Sequence, residues 1–167
     1  MRRFVSGETH YVFGQALRLT VDEWDKKIHR ITVEGRDRLR LSVPPGSTTE
    51  NRRMWIGNWR RTELRALAAP KLDTWADILK VAPTFWGIRE MRTKWGSCNP
   101  KTGRIWLNLE LSKKPVEAID YILLHELAHL ISPRHDERFI ATLDAHMPRW
   151  RQIRSELNGF PLSSWGE

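Results

Sequence analysis

The chain has a single cysteine, Cys98, so no internal disulfide can staple the fold, and a reducing, cytoplasmic setting is expected. No apolar run approaches the roughly eighteen residues that a membrane-spanning helix requires, which argues against an integral membrane protein. The opening MRRFVSGETHYVFG is basic but has no apolar stretch behind it, so a secretory signal is not expected. Internal repeats and low-complexity segments are missing too, which excludes solenoids and biased linkers. Tyrosine and phenylalanine are scarce, 2 and 5, against 9 tryptophans, an inversion of the usual order.

What is present suits one folded domain. The 167 residues are 40% hydrophobic and 29% charged, enough to bury a core and too apolar for a disordered tail. Lys+Arg number 28 against 20 Asp+Glu, a formal charge of +8, and 20 of the 28 cations are arginines. The excess is uneven: residues 1–65 carry 14 basic and 8 acidic side chains, and the remainder 14 and 12. The basic first half is therefore a candidate docking surface for nucleic acid or an acidic protein.

Residues 1–46 read as a short strand-rich portion, an antiparallel meander over 9–20, 28–33 and 39–43 punctuated by Gly35 and Pro44-Pro45-Gly46. Ser47 and Glu50 have capping-box spacing ahead of a helix over about 49–69, which Pro70 is expected to end. A second helix is expected over about 72–81. Residues 86–111 read as a hairpin, with strands over 88–97 and 104–111 around the turn 99–103. Pro115 fits the first position of a helix over 115–131 that is apolar on nearly all sides, hence central and buried. Helices over 136–145 and 148–157 follow, and 158–167 reads as a loose tail.

That central helix carries His125-Glu126-Leu127-Ala128-His129. Residues four apart on a helix share a face, so the two imidazoles can supply two of the nitrogens of a tetrahedral zinc ion. Glu126 lies beside them, placed to act as a general base rather than a ligand. A catalytic zinc takes three protein ligands and leaves a position for water. His135 is the candidate third ligand, because Pro133 disfavours helix at Ser132 and turns the chain back. The spacing equals that of the metzincins, but Ser132 stands where they carry glycine. By chance the HExxH pattern arises in roughly one or two such compositions per hundred, and a carboxylate on so apolar a helix would be costly without a purpose.

The run Met91-Arg-Thr-Lys-Trp-Gly-Ser-Cys98, then Ile105-Trp-Leu-Asn108-Leu, then Tyr121 to His129, then His135 and Phe139, resembles the YgjP-like metallopeptidase family, a relative of the SprT and WLM zinc peptidases. The resemblance spans about 47–157, taken as the catalytic core, and members carry a longer strand-rich N-terminal portion. It implies an α+β, zincin-like fold with a small antiparallel sheet packed on the HExxH helix and flanking helices. It also implies one zinc ion on His125, His129 and His135, Glu126 as catalytic base, and protein or peptide substrates. In such folds an edge strand beside the active-site helix receives the substrate, and 104–111 suits that place, with Trp106, Asn108 and Glu110 outward. A packed hairpin without that role is the plainer reading. Asp120, Asp136, Glu137 and Asp144 are candidate partners for the imidazole N–H groups.

Two other functions fit parts of the sequence. A metal-dependent nucleotide pyrophosphatase would use the arginines on phosphates, but no P-loop and no carboxylate cluster for magnesium is present. A non-enzymatic nucleic-acid-binding module would use the charge and the Arg/Trp-rich helix at 49–69.

Overall fold

The computed structural model describes residues 1–159. The first half builds a four-stranded sheet from β1 (Thr9–Val12), β2 (Gln15–Glu23), β3 (Arg30–Glu34) and β4 (Arg38–Val43), in the order β1-β2-β4-β3. It is not the expected meander: β2 and β4 run parallel, and only β1–β2 and β3–β4 are antiparallel. The stretch read as one strand over 9–20 is folded at Phe13-Gly14. Both residues have positive φ, 49° and 83°, the geometry of a two-residue hairpin turn.

One helix, α1 (Thr49–Leu79), replaces the expected pair and carries Pro70 inside it. Proline removes one intrahelical donor, but Pro70 is exposed, so water can reach the carbonyl left without its partner. Leu64, Ala68 and Leu72, spaced by four across the proline, all bury in the same core and hold the helix continuous. The capping box is one residue later than Ser47/Glu50. Thr48 Oγ1 accepts from Asn51 N, and Thr48 N donates to Asn51 Oδ1, each at 3.1 Å.

A second sheet contains β5 (Phe85–Arg89), β6 (Gly96–Asn99) and β7 (Arg104–Asn108), ordered β5-β7-β6. The sequence placed 88–97 in one strand. Instead, β5 pairs parallel with one side of β7, a loop crosses over, and β6 pairs antiparallel with the other side. Asn108, fully buried, fixes that crossover: its Nδ2 donates to the carbonyls of Met91 and Lys94 at 2.9 and 2.8 Å, and its Oδ1 accepts from Glu110 N.

Helix α2 (Val116–Ala128) runs through the centre, followed by α3 (Glu137–His146) and α4 (Trp150–Asn158). Its near-continuous apolar surface is used on every side: Leu64 and Leu72 of α1, Ile105 and Leu107 of β7, and Phe139, Leu143 and Ile153 of α3 and α4 join Ile119, Leu123, Leu124 and Leu127 in one core. A smaller core under the first sheet gathers Leu17, Leu19, Leu39, Leu41, Val43 and Ile56. Helix α1 spans both cores. Between them the buried Arg60 donates to Tyr11 O at 2.6 Å and to Ser112 Oγ at 3.5 Å. The expected loose tail falls mostly on 160–167, outside the described residues.

Among the described residues only Trp95 and Trp150 of the tryptophans are buried, and six others are half-buried. Several stack with cations: Arg89 over Trp106 at 4.5 Å, Arg65 over Trp86 at 5.1 Å, Arg151 over Trp150 at 4.4 Å. The surpluses of arginine and tryptophan thus partly answer each other.

Candidate metal centre

His125 lies in the last turn of α2, and His129 caps its C-terminus. Beyond it, Ser132 N still bonds Ala128 O at 2.9 Å, and then the chain turns at Pro133. The turn is clamped from inside. The buried Ser132 hydroxyl lies 2.7 Å from both oxygens of Asp136, and Asp136 Oδ1 accepts from Phe139 N at 3.0 Å, capping α3. This returns His135, just ahead of the cap, to the face of α2 that carries the other two histidines.

The result is convergent. One ligating nitrogen from each of His125, His129 and His135 lies within 4.8 Å of the others, the one group of three or more such donors among the described residues. His129 Nε2 and His135 Nε2 are 3.1 Å apart. Two nitrogens bound tetrahedrally at about 2.0–2.1 Å from one zinc ion would be about 3.3 Å apart, so the donor set fits that ion. The other ring nitrogens are engaged elsewhere: His125 Nδ1 lies 3.4 Å from Tyr121 Oη, and His129 Nδ1 lies 3.3 Å from Ser132 O. Buried Phe139 packs against all three rings, with centroids 4.6–5.0 Å away. Burial, reinforced by the neighbouring imidazoles, pushes His125 down to about 3, and burial likewise lowers His129. Both are neutral near pH 7, the form that ligates a metal.

Glu126 points to the other wall. It is buried, and its Oε2 has no hydrogen-bond partner among the described residues. Burial pushes its carboxyl up to about 7 against the opposing pull of Lys94. Gly96 makes this placement possible. A Cβ on Gly96 would stand 2.9 Å from Ile122 Cγ2 and 3.2 Å from Glu126 Cγ, so only glycine lets β6 lie this close to α2. Histidines, glutamate and β6 line a cleft of about 340 Å³.

Several sequence expectations change here. The strand along the cleft is β6, since β7 is paired on both sides and Asn108 faces inward. None of the four carboxylates named as imidazole partners hydrogen-bonds a histidine. Asp120 takes Lys71 Nζ and Trp75 Nε1, Asp144 takes Trp150 Nε1 and Arg151, Asp136 holds the turn, and Glu137 begins α3. Tyr121 was missed, although its place four residues before His125 on one helix face was a readable signal. Cys98 lies on the cleft wall outside the histidine cluster, and burial, with Glu126 nearby, pushes its thiol up to about 11. His146 packs edge-on to Trp75, His29 stacks on Trp55, and Arg134 is exposed in the turn.

Among the described residues, no helix is long and apolar enough to cross a membrane. No curated protein matches the chain. Among the solved structures that resemble it are two that do so over about half its length. The abylysin metallopeptidase zymogen of Pyrococcus abyssi is 26% identical with a TM-score of 0.50, covering 54% of this chain and 90% of that one. The jannalysin metallopeptidase zymogen of Methanocaldococcus jannaschii is 23% identical with a TM-score of 0.48, covering 54% and 92%. The sequence pattern of the YgjP-like metallopeptidase domain matches residues 1–160, taking in the N-terminal sheet as well as the motifs of 47–157. With its α+β architecture, this chain belongs to the YgjP-like metallopeptidase family.

Proposed function

We propose that the chain hydrolyses peptide bonds with one zinc ion held by His125, His129 and His135, and with Glu126 as general base. The observation that carries this is the convergence of three imidazole nitrogens within 4.8 Å beside a buried carboxylate oxygen that has no hydrogen-bond partner among the described residues. Bound there, zinc would supply the Lewis acidity that polarises a scissile carbonyl and makes water nucleophilic at neutral pH.

The chain's own residues supply the rest. Glu126 takes the proton of the attacking water and passes it to the leaving amine, a role that a buried carboxyl in reach of the cleft can fill. Tyr121 Oη and Ser132 O orient two imidazoles, and Phe139 supports all three. Strand β6 ends its sheet, so its outer edge offers main-chain groups to an extended peptide lying along the cleft. Residues 47–157 form the catalytic core in this reading, with 1–46 as an added sheet. No residue of the basic 1–65 segment lines the cleft, so nothing there favours phosphoanhydride chemistry. A nucleic-acid role for that segment is separate from the reaction.

The deciding experiment pairs metal content with turnover on casein. Wild type should hold one zinc per chain and cleave. Glu126→Gln should keep the zinc and lose about 10²–10⁴-fold in kcat. A fully active Glu126→Gln protein, or a wild type that binds no zinc, would overturn the reading.

A further inference from the structure

The cleft is cationic in a way the reaction itself does not require. Apart from Glu126, its charged lining consists of Lys94, just ahead of β6, and Arg154, on α4. Both are exposed, and neither side chain forms an ion pair, a hydrogen bond or a ring stack among the described residues. Three neighbouring cations are paired instead. Arg151 holds Asp144 at 2.8 Å, Arg149 lies 4.0 Å from Glu117, and Lys71 holds Asp120 at 3.0 Å. The remaining acid of α4, Glu156, accepts from Gln152.

The two cations reach the cleft from different elements, Lys94 from the segment just ahead of β6 and Arg154 from α4, and both line it together with Glu126 and the three histidines. A peptide lying along this cleft past the histidines would come beside both.

Resting on the peptidase reading above, we propose that Lys94 and Arg154 set substrate specificity. The cleft selects acidic peptide segments, with a carboxylate on each side of the central bond meeting one of the two cations. The attraction is electrostatic and partly exposed, so each pair should contribute about fivefold in affinity at low salt and less as salt rises.

The test measures binding, which needs no turnover. The protein is the zinc-loaded Glu126→Gln variant, and the probe is a fluorescent peptide with glutamates flanking a Gly-Leu bond, compared with its glutamine counterpart. The glutamate peptide should bind about tenfold or more tightly. Lys94→Gln and Arg154→Gln should each remove about fivefold of that preference while leaving zinc content and circular dichroism unchanged. Lys94→Glu combined with Arg154→Glu should reverse the preference toward a lysine-flanked peptide. Arg36→Gln, an equal charge change in the exposed β3–β4 turn, should leave the ratio intact. Equal binding of the two peptides, no binding of either, or an Arg36→Gln effect as large as that of Arg154→Gln would overturn the proposal. Failure of the peptidase reading would show separately, as absent zinc or an inactive wild type on casein with the charge preference still measurable.

Discussion

Gly96→Ala tests how the two halves of the cleft are fitted together. The added methyl would stand 2.9 Å from Ile122 Cγ2, 3.2 Å from Glu126 Cγ and 3.2 Å from Trp106 O. The first is closer than carbon atoms tolerate, and Ile122 is β-branched and packed in the core, so it yields little. Nor can the carbonyl of Trp106 retreat easily, because β7 is bonded on both sides. Glu126 is therefore pushed by a few tenths of an ångström, or β6 lifts. Overpacking of this kind costs about 1–3 kcal/mol, which for a chain of this size lowers Tm by roughly 3–10 °C. Displacing the base should cost more in turnover than in metal binding, about 10–100-fold in kcat with the zinc retained. Gly57→Ala is the control. It lies within α1 and a Cβ there meets nothing within 4 Å, so alanine should stabilise by about 0.5–1 kcal/mol and leave kcat alone. Differential scanning calorimetry, zinc content and casein kinetics on the three proteins decide it. If Gly96→Ala matches wild type in kcat, the contact with Glu126 does not hold the base in place.

Other perturbations address the site and its supports. His129→Ala should lose the zinc, and chelator should then leave its Tm unmoved; in wild type, chelation should remove the roughly 4 kcal/mol gained with free metal about a thousandfold above Kd. A variant that still holds stoichiometric zinc would refute this. Asn108→Ala leaves two part-buried carbonyls and one part-buried N–H without their partner, so about 1–3 kcal/mol of stability should go and hydrogen exchange should quicken over 91–96. Unchanged protection there would mean that the crossover is held by something else. His10 is buried, and desolvation holds its imidazole at about 4 despite Glu8 at 3.2 Å. Because the unfolded chain binds that proton near 6.5, stability is complete above that pH and falls as pH drops from about 6.5 to about 4. The loss should reach about 2–3 kcal/mol, and His10→Gln should flatten the profile in urea titrations. A variant with the same slope as wild type would assign the acid sensitivity to other groups.

Much of the centre was legible because helical spacing is local. His125 and His129 share a face by geometry alone, and Pro133 announced the turn that returns His135. The partners of the rings were less legible. Four carboxylates were plausible by proximity in sequence, but Tyr121 and a main-chain carbonyl are closest in space. The strands were harder still, since pairing is a long-range choice. Residues 88–97 have one hydrophobic pattern, yet a loop tied down by Asn108 divides them between opposite sides of β7.

By itself, then, the sequence determined the make-up of the centre: which nitrogens converge, which carboxylate accompanies them, and which helix is buried around them. These follow from a 3.6-residue period and from the cost of burying charge without purpose. Only the tertiary structure decided that Pro70 leaves α1 unbroken, that β6 rather than β7 lines the cleft, and that Gly96 sets its width. It also decided that Lys94 and Arg154, 60 residues apart in the chain, line one cleft. Such outcomes depend on contacts between distant segments, where packing overrides local preference and no pattern in a single stretch reveals the neighbour.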